Sequence, residues 1–164
     1  MFIAGLPRSR TAWLSVFMSQ SDVYFYHEAI NGCYSIDEYK DKIKDCGDSS
    51  TGFFVLAGSI ITPNAKIVII EKNEEELFKC IEWCDKVYGV DSKDFILDLN
   101  DKLLTLYGLI VKQSEINDRL QDIWEYLVDT PWDDKYSNLV NFNIQVQSAD
   151  IDKKAAKALY ASIQ

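Results

Sequence analysis

Short apolar runs alternate along the chain with longer segments whose apolar residues recur at helical spacing. We predict strands over residues 1–5, 22–26 and 66–70, the last of which is a continuous β-branched run typical of a strand covered on both faces. Residues 139–146 are a candidate for a late strand. Residues 53–61 are also apolar, but periodicity alone does not decide between a strand and a buried helix there.

Helices are predicted where apolar residues return every three or four positions. Ser9 is a capping residue type that precedes the first helix, and Asn73 precedes another that runs to about Val87. Pro131 stops the last of the central helices. The remaining predicted helices cover 35–46, 92–111, 115–128 and 150–162. The polar stretch between two of these segments, residues 47–52, is predicted to be a loop.

The order of these elements predicts one α/β domain over residues 1–164, with a small parallel sheet of three to five strands and a helical C-terminal half. One compact domain is the default for 164 residues, with room for a core of several layers. Hydrophobic residues make up 48% of the chain, which argues against disorder because enough apolar surface can be buried to offset the entropy of folding.

Charge is distributed unevenly along the chain. The formal net charge is −9, from 17 basic and 26 acidic side chains. Broad nucleic-acid binding is disfavoured, since it needs a basic face to release counterions from phosphates. The first twenty residues, however, contain Arg8 and Arg10, two of the three arginines, and no acidic residue. We therefore expect a small anionic ligand at the N-terminal loop.

Targeting and metal-binding signals are weak. No apolar run reaches the roughly 18 residues of a membrane-spanning helix, and the N-terminus lacks the basic flank and cleavage site of a signal peptide. We therefore expect a cytoplasmic protein with reduced thiols, no membrane contact and no metal. Cys80 and Cys84 are one helical turn apart, but no second pair has ligand spacing, which favours a structural role. An oligomer or a protein partner is left open.

Residues 5–14, Gly-Leu-Pro-Arg-Ser-Arg-Thr-Ala-Trp-Leu, carry the candidate chemistry between the first strand and the first helix. A helix N-terminus offers unpaired N–H groups and partial positive charge, to which this loop adds the guanidinium groups of Arg8 and Arg10 and the hydroxyls of Ser9 and Thr11. These are the parts of a phosphate-binding loop. A regular P-loop has glycine at position 10 and lysine at position 11, so an ordinary kinase or NTPase is disfavoured. The alternative is a capping serine and two solvated arginines.

Residues 5–14 resemble the 5′-phosphosulfate-binding loop of sulfotransferases, whose usual form is Gly/Tyr-x-Pro-Lys/Arg-Ser-Gly-Thr-Thr-Trp-Leu. Looser similarity extends over residues 22–29 and 47–80, in which 63–70 is similar to the strand of the family's Pro-x-Ala-Lys-Ile pattern. About half the chain is covered. The resemblance implies a three-layer α/β/α domain of the P-loop-NTPase type. It also implies a sulfotransferase-like enzyme that moves a sulfuryl group from 3′-phosphoadenosine 5′-phosphosulfate to a hydroxyl or amine, without a metal.

The resemblance further implies roles for single residues. Arg8 takes the position of the cation that stabilises negative charge on the leaving phosphate. Arg10 stands where the family has glycine, so its side chain either crowds the sulfate or adds a second contact to it. The donor-binding residues implied at this loop are Pro7, Arg8, Ser9, Arg10, Thr11 and Ala12.

A transferase also needs a base for the acceptor. The candidates for this catalytic base are His27 and Glu28. His27 is the only histidine, and both residues follow the predicted second strand, at the edge where open α/β sheets bind ligands. An imidazole with a pKa near ~6.5 suits this work at neutral pH. The alternative is a loop histidine that only forms hydrogen bonds. Asp48, Ser49 and Ser50 are predicted either to present hydroxyls to the donor or acceptor, or to form an ordinary turn and cap.

The chain departs from the family pattern at its expected 3′-phosphate site. Glu71 or Lys72 falls where the family has an arginine, and Cys80 falls where it has a serine. The C-terminal Arg-Lys-Gly element is absent and the chain is shorter than typical members. Lys72 is a candidate donor-binding residue because it can replace the arginine as a point charge. The alternative function is a nucleotide- or phosphate-binding P-loop-like domain, either kinase-like or non-catalytic and regulatory.

Overall fold

The protein is described as a computed structural model that covers residues 1–19, 23–51 and 64–141. Five strands, all parallel, form one sheet in the order β2-β3-β1-β4-β5. Their bounds are β1 Phe2–Gly5, β2 Phe25–His27, β3 Gly47–Ser50, β4 Ile67–Glu71 and β5 Leu109–Lys112. The predicted α/β fold with a small parallel sheet is confirmed.

Helices connect these strands and cover both faces of the sheet. Their bounds are α1 Thr11–Met18, α2 Ile36–Lys42, α3 Glu74–Tyr88, α4 Lys93–Leu104 and α5 Leu120–Leu127, with 3₁₀ segments at Gln113–Glu115 and Asp134–Asn141. Within the described ranges, none of the helices is both long enough and apolar enough to cross a membrane.

Alternate residues of the central strands build two separate cores. On one face, Ala4 and Ile69 pack with residues of α2, α3 and α4. On the other face, Ile3 and Val68 pack with α1 and α5, where Trp124 is fully buried. β1 and β4 are therefore apolar on both sides, as the continuous apolar run of β4 predicted.

The chain leaves the two neighbouring strands β1 and β4 in opposite directions. After β1 it passes through α1, on one face, to β2 at one end of the sheet. After β4 it passes through α3 and α4, on the other face, to β5 at the other end. A crevice between the carboxyl ends of β1 and β4 follows from this divergence, at the position where open α/β sheets bind ligands.

Local capping explains where α3 begins and ends. Asn73 accepts a hydrogen bond from the Glu76 N–H, and the Glu76 side chain accepts one from the Asn73 N–H, which completes a capping box. Gly89 ends the helix in the left-handed conformation, with φ of 69°. The predicted start at Asn73 is confirmed, and the helix runs one residue beyond Val87.

Two strands differ from the prediction. The expectation of a loop over residues 47–52 is wrong for Gly47–Ser50, which is β3 and is buried between β2 and β1. The predicted helix 92–111 ends at Leu104, and its last residues form β5. Gly108 permits this second change, because a Cβ there would lie 2.2 Å from the carbonyl oxygen of Ile67. The C-terminal half is therefore not wholly helical.

The later elements are also shorter than predicted. The helix predicted over 115–128 begins only at Leu120, after the 3₁₀ segment and turns. Residues 139–141 of the predicted late strand belong instead to the 3₁₀ segment Asp134–Asn141, so that prediction is wrong there. Its remainder, and the predictions for 53–61 and 150–162, lie outside the described residues.

Candidate anion-binding site

The loop between β1 and α1 turns tightly over the end of its own strand. The Ser9 N–H donates a hydrogen bond to the Leu6 carbonyl over 3.2 Å. A Cβ on Gly5 would lie 2.8 Å from the Ser9 Cβ and 3.3 Å from the Ile70 Cβ. Glycine is therefore required at position 5, because the returning loop leaves no room for a side chain.

Left-handed backbone is concentrated at this edge of the sheet. Arg8 has φ of 67° and Arg10 has φ of 60°, and Glu28 after β2 has φ of 56°. In the described ranges these three are the non-glycine residues with positive φ. Each such conformation costs about 1 kcal/mol or more, and proteins keep such strain mostly at functional sites.

Ser9 is the buried polar residue of the loop. Its side chain is 0% exposed, and its Oγ has no hydrogen-bond partner. The sequence indicated Ser9 as a helix cap, and this prediction is wrong, because Arg10 is the N-cap residue and no side chain caps α1. Buried polar groups usually have a hydrogen-bond partner, and a buried hydroxyl without one costs roughly 1–3 kcal/mol of folding free energy. Ser9 is an exception to this rule.

The two arginines of the loop have different surroundings. Arg8 is exposed, with its guanidinium carbon 6.0 Å from the centre of the Trp83 ring on α3. The Arg10 guanidinium lies 4.4 Å over the Trp13 ring, and its Nη1 donates to the Asn117 Oδ1 over 2.6 Å. Burial lowers the pKa of Arg10. The Arg10 side chain is thus held by Trp13 and Asn117, whereas the Arg8 side chain is exposed.

Lys72 lies directly after β4 and is almost fully buried, at 7% exposure. Its Nζ donates to the Oε1 of Gln113 over 2.5 Å. Burial lowers the pKa of Lys72, and the positive charge of Arg8 acts in the same direction. In the described part of the chain, neither arginine nor Lys72 is within salt-bridge distance of a carboxylate. This is an unusual state for a buried lysine.

His27 reaches the start of α1 from the end of β2. Its Nε2 and the Thr11 Oγ1 lie 3.5 Å apart, and its Nδ1 is buried without a hydrogen-bond partner. Ser49 belongs to β3, the strand between β2 and β1, and its hydroxyl donates to the Thr11 carbonyl over 2.8 Å. The structure therefore brings His27 next to the loop, as expected from its position after the second strand.

Glu28 binds protein groups with both of its carboxylate oxygens. Its Oε1 accepts hydrogen bonds from the N–H and the hydroxyl of Thr51, over 2.6 and 2.7 Å, and its Oε2 accepts one from the Ser50 hydroxyl over 2.7 Å. The distance from its Oε1 to the His27 Nε2 is 3.8 Å. Glu28 thus connects the ends of β2 and β3 and lies beside the imidazole.

Asp48 lies inside the fold rather than in a loop. It accepts hydrogen bonds from the Ala29 N–H over 3.0 Å and from the Tyr39 hydroxyl over 2.8 Å. Burial raises the pKa of Asp48 to about 6, and burial together with Asp48 also raises the pKa of Tyr39. Each of the residues Asp48, Ser49 and Ser50 therefore has a hydrogen-bond partner within the protein.

The remaining predicted residues are Pro7 and Ala12 of the loop and the two cysteines of α3. Pro7 and Ala12 are half-buried on either side of the central loop residues. Cys80 and Cys84 are buried free thiols below Lys72, and burial raises the pKa of Cys80 to about 12, which disfavours the reactive thiolate. In the described ranges, no group of three or more His, Cys, Asp or Glu side chains is placed to hold a metal ion.

Sequence reasoning missed the partners of the cations, namely Trp83, Gln113 and Asn117. Gln113 and Asn117 follow β5, which the sequence did not predict as a strand. The run Leu109–Lys112 after Gly108 was the available signal. Had it been interpreted as a strand, its carboxyl end would have placed residues 113–117 at the same edge as the loop.

Comparisons of the chain with protein families, with curated proteins and with solved structures found no match. Function is therefore inferred from the loop after β1, the cations around it and the adjacent histidine.

Proposed function

We propose that the loop after β1 binds the phosphate or sulfate of a nucleotide. The carrying observation is the Ser9 hydroxyl, which is fully buried and has no partner at the point where α1 begins. An anion oxygen would supply the missing acceptor. The first N–H groups of α1 and the positive end of its dipole favour the same ligand. Arg8, Arg10 and Lys72 add positive charge, and none of the three is within salt-bridge distance of a carboxylate among the described residues.

We further propose a sulfotransferase-like reaction with 3′-phosphoadenosine 5′-phosphosulfate as the donor and a hydroxyl or amine as the acceptor. Support comes from the resemblance of residues 5–14 to the family's loop. Arg10 occupies the family's glycine position and has φ of 60°, a conformation that glycine adopts at little cost. The loop therefore keeps the backbone shape that a glycine would take while it carries an arginine.

The proposed step is a displacement at sulfur. The acceptor oxygen or nitrogen forms a bond to sulfur, and the bond between sulfur and the bridging phosphate oxygen breaks, with its electron pair on the leaving adenosine 3′,5′-bisphosphate. Arg8 stabilises the charge that develops on that oxygen. The acceptor proton passes to the His27 Nε2, the nitrogen that faces Thr11. Glu28 positions the imidazole, and Lys72 offers a point charge to the 3′-phosphate.

The test is a ligand panel measured by thermal unfolding, with adenosine 3′,5′-bisphosphate, ADP, magnesium ATP, sulfate and phosphate. At a hundred times its Kd, a ligand stabilises by about 2.7 kcal/mol, which raises the Tm of a domain of this size by roughly 5–10 °C. We expect this shift with adenosine 3′,5′-bisphosphate, and a smaller shift in Arg8→Ala. Arg119→Ala is the matched control, because Arg119 is the remaining arginine and pairs with Asp122 on the surface.

The same panel distinguishes the alternative function. Stabilisation by magnesium ATP alone would replace the sulfotransferase proposal with a kinase-like domain. Stabilisation by adenosine 3′,5′-bisphosphate that is equal in the wild type and in Arg8→Ala would remove the loop from the site. Where a transfer assay with the sulfuryl donor is established, Arg8→Ala and His27→Ala should each lower kcat more than donor affinity.

A further inference from the structure

We infer that the segment after β5, residues 113–117, is one wall of the anion site, and that Gln113 and Asn117 are positioning residues for two of its cations. The inference rests on the proposed anion-binding function of the loop. Both residues are neutral amides, and each holds a positive side chain that comes from a different strand end. They fix the cations in place and leave the positive charge for a ligand.

The strand register explains the contact between Gln113 and Lys72. Glu71 of β4 pairs with Lys112 of β5, so the next residue of each strand lies beside the other at the carboxyl edge. The Lys72 Nζ donates to the Gln113 Oε1, and Lys72 is nearly inaccessible to water. The ammonium group therefore has a fixed position and a hydrogen-bond acceptor, but no carboxylate of the described residues lies within salt-bridge distance of it.

The second contact spans β4. Arg10 follows β1, Asn117 follows β5, and β4 lies between those two strands. The Arg10 guanidinium rests on the Trp13 ring, and its Nη1 donates to the Asn117 Oδ1. The ring and the amide together hold the guanidinium in one orientation. An arginine in this state remains able to donate further hydrogen bonds, because a guanidinium has five N–H donors.

The cations that flank this segment are paired with carboxylates instead of amides. Lys112 and Arg119, which flank the same segment, form ion pairs with Glu115 and Asp122. The chain has 26 acidic side chains for 17 basic ones, so carboxylates are abundant. Amides at 113 and 117 therefore stand out against their own surroundings. A carboxylate at either position would neutralise the adjacent cation and repel an anion.

This arrangement indicates the class of ligand. With the exposed Arg8, the crevice holds three positive side chains without a carboxylate partner in the described ranges. A ligand that matches them carries at least two negative charges, as phosphate esters and sulfated phosphates do. A monocarboxylate would leave a buried positive charge uncompensated.

The test replaces each amide by the carboxylate of the same shape, in Gln113→Glu and Asn117→Asp. Affinities for adenosine 3′,5′-bisphosphate and for sulfate are measured by calorimetry at one ionic strength. We expect each variant to bind both probes at least about tenfold more weakly, which corresponds to 1.4 kcal/mol. Asn64→Asp adds the same charge at the opposite, amino edge of the sheet and should bind within about twofold of the wild type, since its charge is far from the ligand.

Two further variants separate position from charge. Asn117→Ala removes the amide without adding charge, and we expect it to weaken binding by less than Asn117→Asp. Gln113→Asn keeps a neutral amide and should bind more tightly than Gln113→Glu. Because Asn117 is exposed, its variants carry the test even if Gln113→Glu does not fold.

The outcomes separate the two proposals. If the wild type binds neither probe, the proposed anion-binding function fails, and this inference fails with it. If the wild type binds and both carboxylate variants bind equally well, the inference about Gln113 and Asn117 is overturned, whereas the function of the loop stands.

Discussion

The two halves of the sheet differ in how fully their buried polar groups are hydrogen-bonded. On the β2–β3 half, Asp48 and Glu28 together accept five hydrogen bonds from neighbouring protein groups. On the β1–β4 half, the Ser9 hydroxyl has no partner, and Lys72 and Arg10 are held by neutral amides. Most buried polar groups in folded proteins are hydrogen-bonded, so a buried group without a partner calls for an explanation, which a bound ligand would supply. The two carboxylates of the β2–β3 half are therefore engaged within the fold, whereas the β1–β4 half is the one that we propose to bind an anion.

His27 stands at the boundary between these halves. It belongs to β2, yet its Nε2 faces Thr11 at the start of α1, and its Nδ1 has no partner. The neighbouring Glu28 is committed to Thr51 and Ser50. The unpaired groups of the edge thus lie together around the loop, which is the distribution expected of a binding site.

The largest expected effect concerns the β2–β3 half of the sheet and is a change in stability with pH. The pKa of Asp48 is raised from its ordinary 3.8 to about 6 by burial. Its contribution to stability is therefore fully present below pH ~4 and is lost as the pH rises through ~6, by up to about 3 kcal/mol. Asp48→Asn cannot ionise, so it should gain stability relative to the wild type between pH 4 and pH 7. Urea unfolding across this range measures the difference.

Asp101→Asn is the control for that experiment, because Asp101 is exposed on α4 and should follow the wild-type pH dependence. Parallel curves for the wild type and Asp48→Asn would contradict the assignment of Asp48 as a buried titrating group. A loss of anion affinity in Asp48→Asn would contradict the assignment of anion binding to the β1–β4 half alone.

An effect of intermediate size is expected on the β1–β4 half of the sheet, where the proposed anion site lies. Ser9→Ala removes a buried hydroxyl that has no partner, so the ligand-free protein should keep its stability or gain up to about 1 kcal/mol. Affinity for adenosine 3′,5′-bisphosphate should fall about tenfold, or 1.4 kcal/mol. Ser19→Ala is the matched control, because the buried Ser19 Oγ accepts from the Phe25 N–H. It should lose about 1–2 kcal/mol of stability and keep its affinity. The reverse pattern would contradict the comparison.

The smallest effect concerns strain in the loop. Arg10→Gly and Arg10→Ala lose the same side-chain contacts, but glycine adopts the left-handed backbone at φ of 60° at little cost. We expect Arg10→Gly to be more stable than Arg10→Ala by about 1 kcal/mol in chemical unfolding. At Lys79, an exposed residue in the interior of α3, the same two replacements should show the opposite order, because glycine is a poorer helix former than alanine there. Equal stability of the two Arg10 variants would mean that the loop relaxes without strain.

The failed strand predictions have a common physical cause. Gly47–Ser50 contains no apolar side chain, so no hydrophobic pattern marks it as a strand. It is buried because its polar groups meet partners in α1, α2 and the end of β2. Leu109–Lys112 is apolar but follows a helix without a proline, and short apolar runs suit helix and strand equally. Contacts between residues distant in sequence therefore decided the conformation of both segments.

The sequence by itself determined the loop after β1, because a strand, a glycine turn, two arginines and a helix start are contiguous and their geometry is local. It also determined the alternation of strands and helices, through hydrophobic periodicity. Only the tertiary structure decided which residues surround the loop. Arg10 meets Asn117 across 107 positions, Lys72 meets Gln113 across 41, and Thr11 meets His27 across 16. Strand order is the reason: it joins strand ends that are not consecutive in the chain, and no local pattern encodes that order.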